Sequence, residues 1–429
     1  MSMKYTIFLF LLFNASISFG QQNFVAIDSL SSECSNTLSE EYQKKFETIT
    51  KNIVLKKAAE KILVKELYRE MQQDFLEKIK EKEFICNNDL DKYLNGLMDE
   101  VLTKNKINTQ DYKILLSKNS KINAYNTGDG TIVINYGLFL AVENEDELVF
   151  VISHEIGHQF LNHVKNGIET YAKLSRSESI IAKTKEIQRQ KYGKATKATN
   201  LMKNIVYEDY EKRRKKEIEA DSIGFVFYGK TLRNPKAAVD ILAKLDLSDI
   251  ERDSLTVADY KFIFERNGFV LKQKYFNEEK SLFSKYDKMK GINVDSLKSH
   301  PDCATRIKLI EKKLEAKFSE TYSSPKVFSE IKKNSIYQNL YNLYSLKQYG
   351  ISLYESLKLY KKQTDDPVLQ KIIYLNLLKI YESRINYTIN RYVPAHDNLN
   401  NSDSLNRFVS YLNNIKISDF ETIINNFKS

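Results

Sequence analysis

His154-Glu155-Ile156-Gly157-His158 brings together the residue types needed for hydrolysis at a metal ion. In an α-helix, residues four apart share a face. His154 and His158 can therefore aim two imidazoles at one ion, the arrangement zinc hydrolases use. Glu155 can reach a water on that ion, take its proton and later pass it to a leaving amine. The five-residue pattern also arises by chance, so its context matters. It lies in an apolar segment, with Leu148, Val149, Phe150, Val151 and Ile152 before it and Phe160 and Leu161 after it. Polar groups buried without partners are costly, and a metal would supply the partner.

A catalytic zinc site needs a third protein ligand and an open position. One pattern places a glycine three residues after the second histidine and a histidine six after it. Leu161 and Val164 stand at those places, which excludes it. His163 is five residues after His158, which on a continuous helix turns it away from the metal face. It reads as a structural or surface residue. The other pattern draws a carboxylate from a later helix. Glu217-Ile218-Glu219-Ala220-Asp221 fits, because Glu217 and Asp221 share a face. Glu217 can ligate zinc, and Asp221 can accept the free N–H of a liganding histidine, most simply His154. Glu219 points elsewhere, to the surface or a salt bridge. Ala220 and Gly224 permit close helix packing.

The elements around these residues follow from periodicity. Residues 37–83 read as helix, with a second helix from the Asn87-Asn88-Asp89 turn to about Leu102. Residues 112–117 read as a strand. A hairpin follows, in which the Gly128-Asp129-Gly130 turn separates Asn123-Ala124-Tyr125 from Thr131-Ile132-Val133-Ile134-Asn135. Asn144 with Glu145, Asp146 and Glu147 starts the helix of the histidine pair, acids in its first turn, and that helix runs to about Val164. Residues 166–230, 236–245 and 256–290 read as helical, with Lys183 to Lys216 an exposed basic hairpin. A further helix follows Pro301 to about Phe318. Beyond Ser323-Ser324-Pro325 the chain turns rich in Tyr, Leu, Ile and Asn. Segments 336–349, 351–362 and 367–384 there have helical periodicity, and their pairing is like a short, divergent tetratricopeptide unit.

The chain has 429 residues, with 13 glycines and 5 prolines. So few helix breakers argue for a mostly helical fold. The expected class is α+β, predominantly α-helical, with a small β-sheet in the catalytic unit and an all-α helical-hairpin region after it. Residues 1–20 read as a signal peptide, from Lys4, the apolar run Ile7 to Phe13, and Ser18 and Gly20 before the expected cut. The run is too short to span a membrane. Residues 21–320 form the first unit, with its core at about 60–315, and residues 326–429 the second. The net charge of +10 comes with interleaved acids, and no nucleic-acid motif accompanies it, so no nucleic-acid partner is expected. Cys34, Cys86 and Cys303 make no disulfide framework or metal motif. Cys34 and Cys86 can form one bridge, and isolated thiols are the alternative. His396 reads as an exposed loop residue.

These pieces, in this order, resemble the gluzincin metallopeptidases that include the CaaX prenyl proteases, the mitochondrial Oma-type proteases and the bacterial periplasmic BepA-type proteases. They are Asn123-Ala124-Tyr125 with its hairpin and Gly137-Leu138, then His154-Glu155-Ile156-Gly157-His158, then Glu217-Ile218-Glu219-Ala220-Asp221, then Ser299-His300-Pro301 with Arg306-Ile307. The likeness covers roughly residues 60–315. It implies a zincin-type fold and one zinc ion per chain, held by His154, His158 and Glu217, with Glu155 as catalytic acid/base. It also implies that His300 and Arg306 stabilise the oxyanion or gate the site. By its local pattern alone, His300 would be a turn residue. Residues 131–135 resemble the family's substrate-binding edge strand, so the expected substrate contacts are Asn123, Ala124, Tyr125, Thr131, Ile132 and Val133. Main-chain pairing at an edge tolerates many sequences.

A signal peptide and no transmembrane span in the mature chain place the protein with the exported, BepA-like members. It is expected to be periplasmic or secreted, to cleave polypeptides in envelope quality control, and to meet an envelope partner through residues 326–429. The rival expectation is a chaperone-like or scaffold protein with a latent protease site that acts through that same region. Deleting residues 326–429 is expected to spare cleavage of a small peptide.

Overall fold

The computed structural model describes residues 24–27, 32–177, 182, 185–186, 189, 194–251, 253–277, 300, 302–314, 321–397 and 400–428, with side chains of 194–210 left aside. The signal-peptide segment and the neighbours Ser299 and Pro301 lie outside the described residues. So do residues 278–290 of the expected helix 256–290 and much of the basic hairpin.

The fold is α+β and predominantly helical. Helix α1 (Ser32–Lys51) and α2 (Ala58–Lys80) form a hairpin, where sequence periodicity suggested one helix over 37–83. The break at 52–57 lets both apolar stripes meet, with Tyr42 and Phe46 packed on Phe75. A disulfide ties Cys34 to Cys86, just past β1 (Phe84–Ile85). Cys303 is free and buried.

Helix α3 (Asn88–Lys104) leads to β2 (Lys113–Ser117), β3 (Ala124–Asn126) and β4 (Thr131–Asn135). The strand order is β1-β2-β4-β3. Strands β3 and β4 pair antiparallel across the expected hairpin. Gly128 and Gly130 have φ of +84° and +87° in its turn, a region glycine enters without steric cost. At Gly130 a Cβ would stand 1.8 Å from the Asp111 carbonyl oxygen, so only glycine fits.

The edge-strand expectation for Thr131, Ile132 and Val133 does not hold. Strand β4 also pairs in parallel with β2 along its whole length, and all five of its residues are buried. A strand enclosed on both faces reads as a continuous apolar run rather than an alternation, and Ile132-Val133-Ile134 is such a run. On the hairpin side of the sheet the edge strand is β3.

A short helix α4 (Leu138–Ala141) leaves the sheet and α5 (Glu145–Phe160) carries the histidine pair. The Asn144 side chain caps α5 by accepting from the Glu147 N–H. The three first-turn acids are buried, and each has a basic partner: Arg233 holds Glu145 and Asp146, and Lys244 holds Glu147. This helix ends earlier than expected, at Phe160. Asn162 takes a left-handed conformation (φ 54°) and α6 (His163–Ser175) starts in a new direction. Helix α7 (Lys194–Gly229) then packs on α5, followed by α8 (Lys236–Asp246), α9 (Val257–Phe264) and α10 (Cys303–Glu311). The expected helix over 256–290 stops at Phe264, because Asn267 and Gly268 both turn to positive φ.

Helices α11 (Lys326–Ser345), α12 (Tyr349–Tyr360), α13 (Pro367–Ile385), α14 (Asp403–Asn414) and α15 (Ile417–Phe427) complete the chain. Two large cores result. The first gathers the sheet and α3, α5 and α8, and also takes Phe328 and Ile331 from α11. The second joins α12 to α15 with Leu255, Tyr260, Phe264, Tyr275 and Phe276. Packing therefore crosses the linear boundary near residue 320 in both directions.

Candidate metal centre

Close packing of α5 on α7 builds the centre. A Cβ at Gly157 would lie 2.9 Å from the Ala220 carbonyl oxygen, and one at Gly224 would lie 2.8 Å from the His154 Cα. The small residues thus let the two backbones approach. One helical turn separates Glu217 from Asp221, so both face α5.

His154 Nε2 and His158 Nε2 are 3.0 Å apart. Glu217 closes the triangle, Oε2 at 3.5 Å from His154 Nε2 and Oε1 at 3.4 Å from His158 Nε2. Among the described residues, these three form a group able to hold a metal ion. Zinc takes nitrogen and oxygen ligands at about 2.0–2.2 Å, and in a tetrahedron such ligands stand roughly 3.3–3.5 Å from one another. The observed spacings fit that shape, and the donor set of two imidazoles and one carboxylate suits zinc.

Two buried groups stand behind the triangle. Asp221 Oδ1 lies 2.8 Å from His154 Nδ1, which leaves Nε2 to face the ion. Arg306, on α10, grips Asp221 through Nε (2.5 Å) and Nη2 (2.9 Å) and places Nη1 3.2 Å from Glu217 Oε2. Its side chain is 3% exposed. The oxyanion expectation for Arg306 thus meets a different arrangement, in which the side chain bonds to the carboxylates. His300 lines the pocket, and its Nε2 bonds to the Ile122 carbonyl oxygen at 2.9 Å.

The electrostatics follow from burial and pairing. Burial disfavours charge on His154, but the hydrogen bonds to Asp221 and Glu217 outweigh it and push the imidazole up to about 10. Burial and the adjacent His154 push His158 down to about 3. Burial also raises both acids, yet His154 and Arg306 hold Glu217 well below the ordinary carboxylate range, and Arg306 does the same for Asp221. Glu155 is different. Burial raises it to about 7, against the pull of His154 and of a backbone hydrogen bond from Asn126. A carboxyl near neutrality is suited to both accepting and returning a proton.

The pocket over the triangle has a volume of about 270 Å³. His154, Glu155, His158, Glu217 and Arg306 line it with residues 123–126, and Leu138, Phe150, Leu242 and Leu245 supply apolar surface. Asn123, Ala124 and Tyr125 therefore reach the site, whereas Thr131, Ile132 and Val133 do not line it. A larger cleft of about 1170 Å³ shares Asn123 and is lined also by α11, α12 and the 400–405 segment.

His163 is structural and Glu219 a half-exposed salt-bridge residue, as their positions in the sequence suggest; what the sequence did not show is that the pair backs His158. His163 is buried, with Nδ1 3.0 Å from His158 Nδ1 and Nε2 3.3 Å from Glu219 Oε2. On one helix running through residue 164, His163 would turn away from His158, but the helix ends at Phe160. Asn162 was the available signal, since asparagine tolerates the left-handed conformation that ends helices. His396 shows no relation to this pocket.

A helix bearing two histidines, packed on a helix that adds a carboxylate and set beside a small sheet, is the construction of a metallopeptidase. The chain belongs to peptidase family M48, whose family model matches residues 88–314. M48 peptidases are zinc metalloproteases. The chain is also similar to the "Beta-barrel assembly-enhancing protease" of Yersinia pestis, at 29% identity over 86 residues. That stretch is 20% of this chain and 18% of the relative's length. Among the described residues, no helix is long and apolar enough to cross a membrane.

Proposed function

We propose that the protein is an exported zinc metalloendopeptidase that hydrolyses peptide bonds within polypeptides. The observation that carries this is the triangle of His154, His158 and Glu217, with donor atoms 3.0–3.5 Å apart and Glu155 in the same pocket. One zinc ion per chain, held by these three residues, would supply Lewis acidity toward the scissile carbonyl and the attacking water.

The chain's own residues do the rest. Glu155 takes a proton from the attacking water and delivers it to the leaving nitrogen, a role its raised affinity for a proton supports. Asp221 orients His154. Arg306 balances the charge of Glu217 and Asp221, so its part is positioning rather than contact with substrate. Strand β3 offers its free edge to an extended peptide, with Asn123, Ala124 and Tyr125 beside the site. The adjoining cleft leaves room for more of a polypeptide chain. For His300 to stabilise an oxyanion through Nε2, it must exchange the Ile122 carbonyl for the substrate oxygen.

The signal-peptide pattern and the likeness to a Yersinia pestis protease that enhances β-barrel assembly support a role in the cell envelope, on polypeptides of its quality control. Residues 326–429 are the proposed contact for a partner there.

The test uses purified residues 21–429 with casein as substrate. The Glu155→Gln variant should retain one zinc and lose cleavage by at least about 100-fold. Cleavage at the parent rate in that variant would overturn the mechanism. Zinc retained by the parent without any cleavage would favour the chaperone-like alternative.

A further inference from the structure

His163 occupies a defined place in the proton arrangement behind the metal centre. It opens α6 immediately after the left-handed Asn162, and this turn brings its ring back onto His158, centroids 4.9 Å apart at 79°. It is 6% exposed. Lys216 Nζ donates to its carbonyl oxygen at 3.0 Å, pinning the start of α6 to α7. Glu219 sits on α7 between Glu217 and Asp221 and reaches His163 from the outer side, its side chain 44% exposed.

Hydrogen-bond chemistry then orders the protons. A carboxylate only accepts, so His163 Nε2 carries the hydrogen and donates it to Glu219. In the neutral ring, His163 Nδ1 is left as an acceptor. His158 Nδ1 must then donate to it, which leaves the lone pair of His158 on Nε2. That atom faces His154 Nε2 and Glu217. Asp221 performs the same task for His154 with a carboxylate in direct contact.

We infer that His163, oriented by Glu219, is a positioning residue that fixes the tautomer and ring orientation of His158 for metal binding. The inference rests on the proposal that His154, His158 and Glu217 hold zinc. Groups behind metal-bound histidines typically change metal affinity by about 10–100-fold when removed.

The experiment measures the zinc dissociation constant of the purified chain by competition with a chromophoric chelator at fixed pH. It also records the visible spectrum of the cobalt-substituted protein and the thermal unfolding of the metal-stripped protein. His163→Phe keeps a ring of similar volume but removes the acceptor. It should weaken zinc by about 10–100-fold and alter the cobalt spectrum. His163→Gln offers a side-chain carbonyl to His158 Nδ1–H and should recover part of the affinity. Glu219→Ala, at a half-exposed position, should unfold at the parent temperature and still bind zinc several-fold more weakly. If His163→Phe does not fold, Glu219→Ala and His163→Gln decide the matter. Parent affinity and spectrum in both Glu219→Ala and the folded His163 variant would overturn the inference. Failure of the underlying proposal looks different: the parent would bind no zinc, or Glu217→Ala would bind as the parent does.

Discussion

Alanine at Gly224 should separate the two helices that build the metal centre. The added Cβ would stand 2.8 Å from His154 Cα, 3.0 Å from His154 N and 3.0 Å from the Ser153 oxygen. All three are backbone atoms, which cannot swing aside as a side-chain tip can. Carbon atoms rest at about 3.5–4.0 Å, so α7 must retreat from α5 by roughly 0.7–1.2 Å locally. Overpacking of this kind costs about 1–3 kcal/mol, while the better helix propensity of alanine returns about 1 kcal/mol. Gly96, within α3, is the control, since a Cβ there meets nothing within 4 Å. Gly96→Ala should therefore stabilise by about 0.5–1 kcal/mol. The two variants should differ by about 1–3 kcal/mol in chemical unfolding of the metal-stripped protein. Glu217 lies two turns away on the same helix and moves with it, whereas a zinc site tolerates only about 0.2 Å of ligand displacement. Zinc affinity should fall at least about tenfold in Gly224→Ala and stay unchanged in Gly96→Ala. Equal stabilisation by both alanines, with parent zinc affinity, would rule out Gly224 as the contact that sets the spacing of α5 and α7.

Other perturbations test other parts of the structure. Arg306→Ala leaves the buried Asp221 and Glu217 without their cation, and should destabilise the metal-stripped protein by about 3–5 kcal/mol in urea unfolding. Saturating zinc should restore part of that loss, because binding to the folded state alone adds stability. The Cys34–Cys86 bridge spans 52 residues, for which chain entropy sets a stabilisation of up to about 4 kcal/mol. Cys34→Ser should lower the unfolding temperature, and peptide mapping without reductant should recover the linked pair from the parent. Deleting residues 326–429 removes Phe328 and Ile331 from the first core and uncovers Leu255, Tyr260 and Phe264. Contrary to the expectation from sequence that small-peptide cleavage survives, this truncation should be proteolysed rapidly and lose activity, as limited trypsinolysis and a peptide assay would show.

Much of the centre was legible because it depends on local periodicity. Helical spacing by itself paired His154 with His158 and Glu217 with Asp221, and Asn144 with its acids announced the start of α5. The hairpin was legible too, since Gly128 and Gly130 supply a conformation other residues avoid. What local pattern could not carry was the direction of the chain after a break. His163 changed from a residue turned away into one set edge-on against His158, because the helix ends at Phe160 and Asn162 turns the chain. Arg306 lines the pocket as expected, but its pairing with Asp221 and Glu217 joins distant segments that local pattern does not connect.

Local pattern along the chain was enough for the mostly helical class and for the three candidate donors. Backbone geometry alone decides which residues share a helix face, whatever the rest of the chain does. Tertiary structure decided everything that depends on distant segments meeting. It placed β4 inside the sheet by pairing it with β2, left β3 at an edge, and assigned residues 255–276 to the second core. Strand pairing and core packing join residues far apart along the chain, and apolar residues of similar size specify burial without specifying the neighbour.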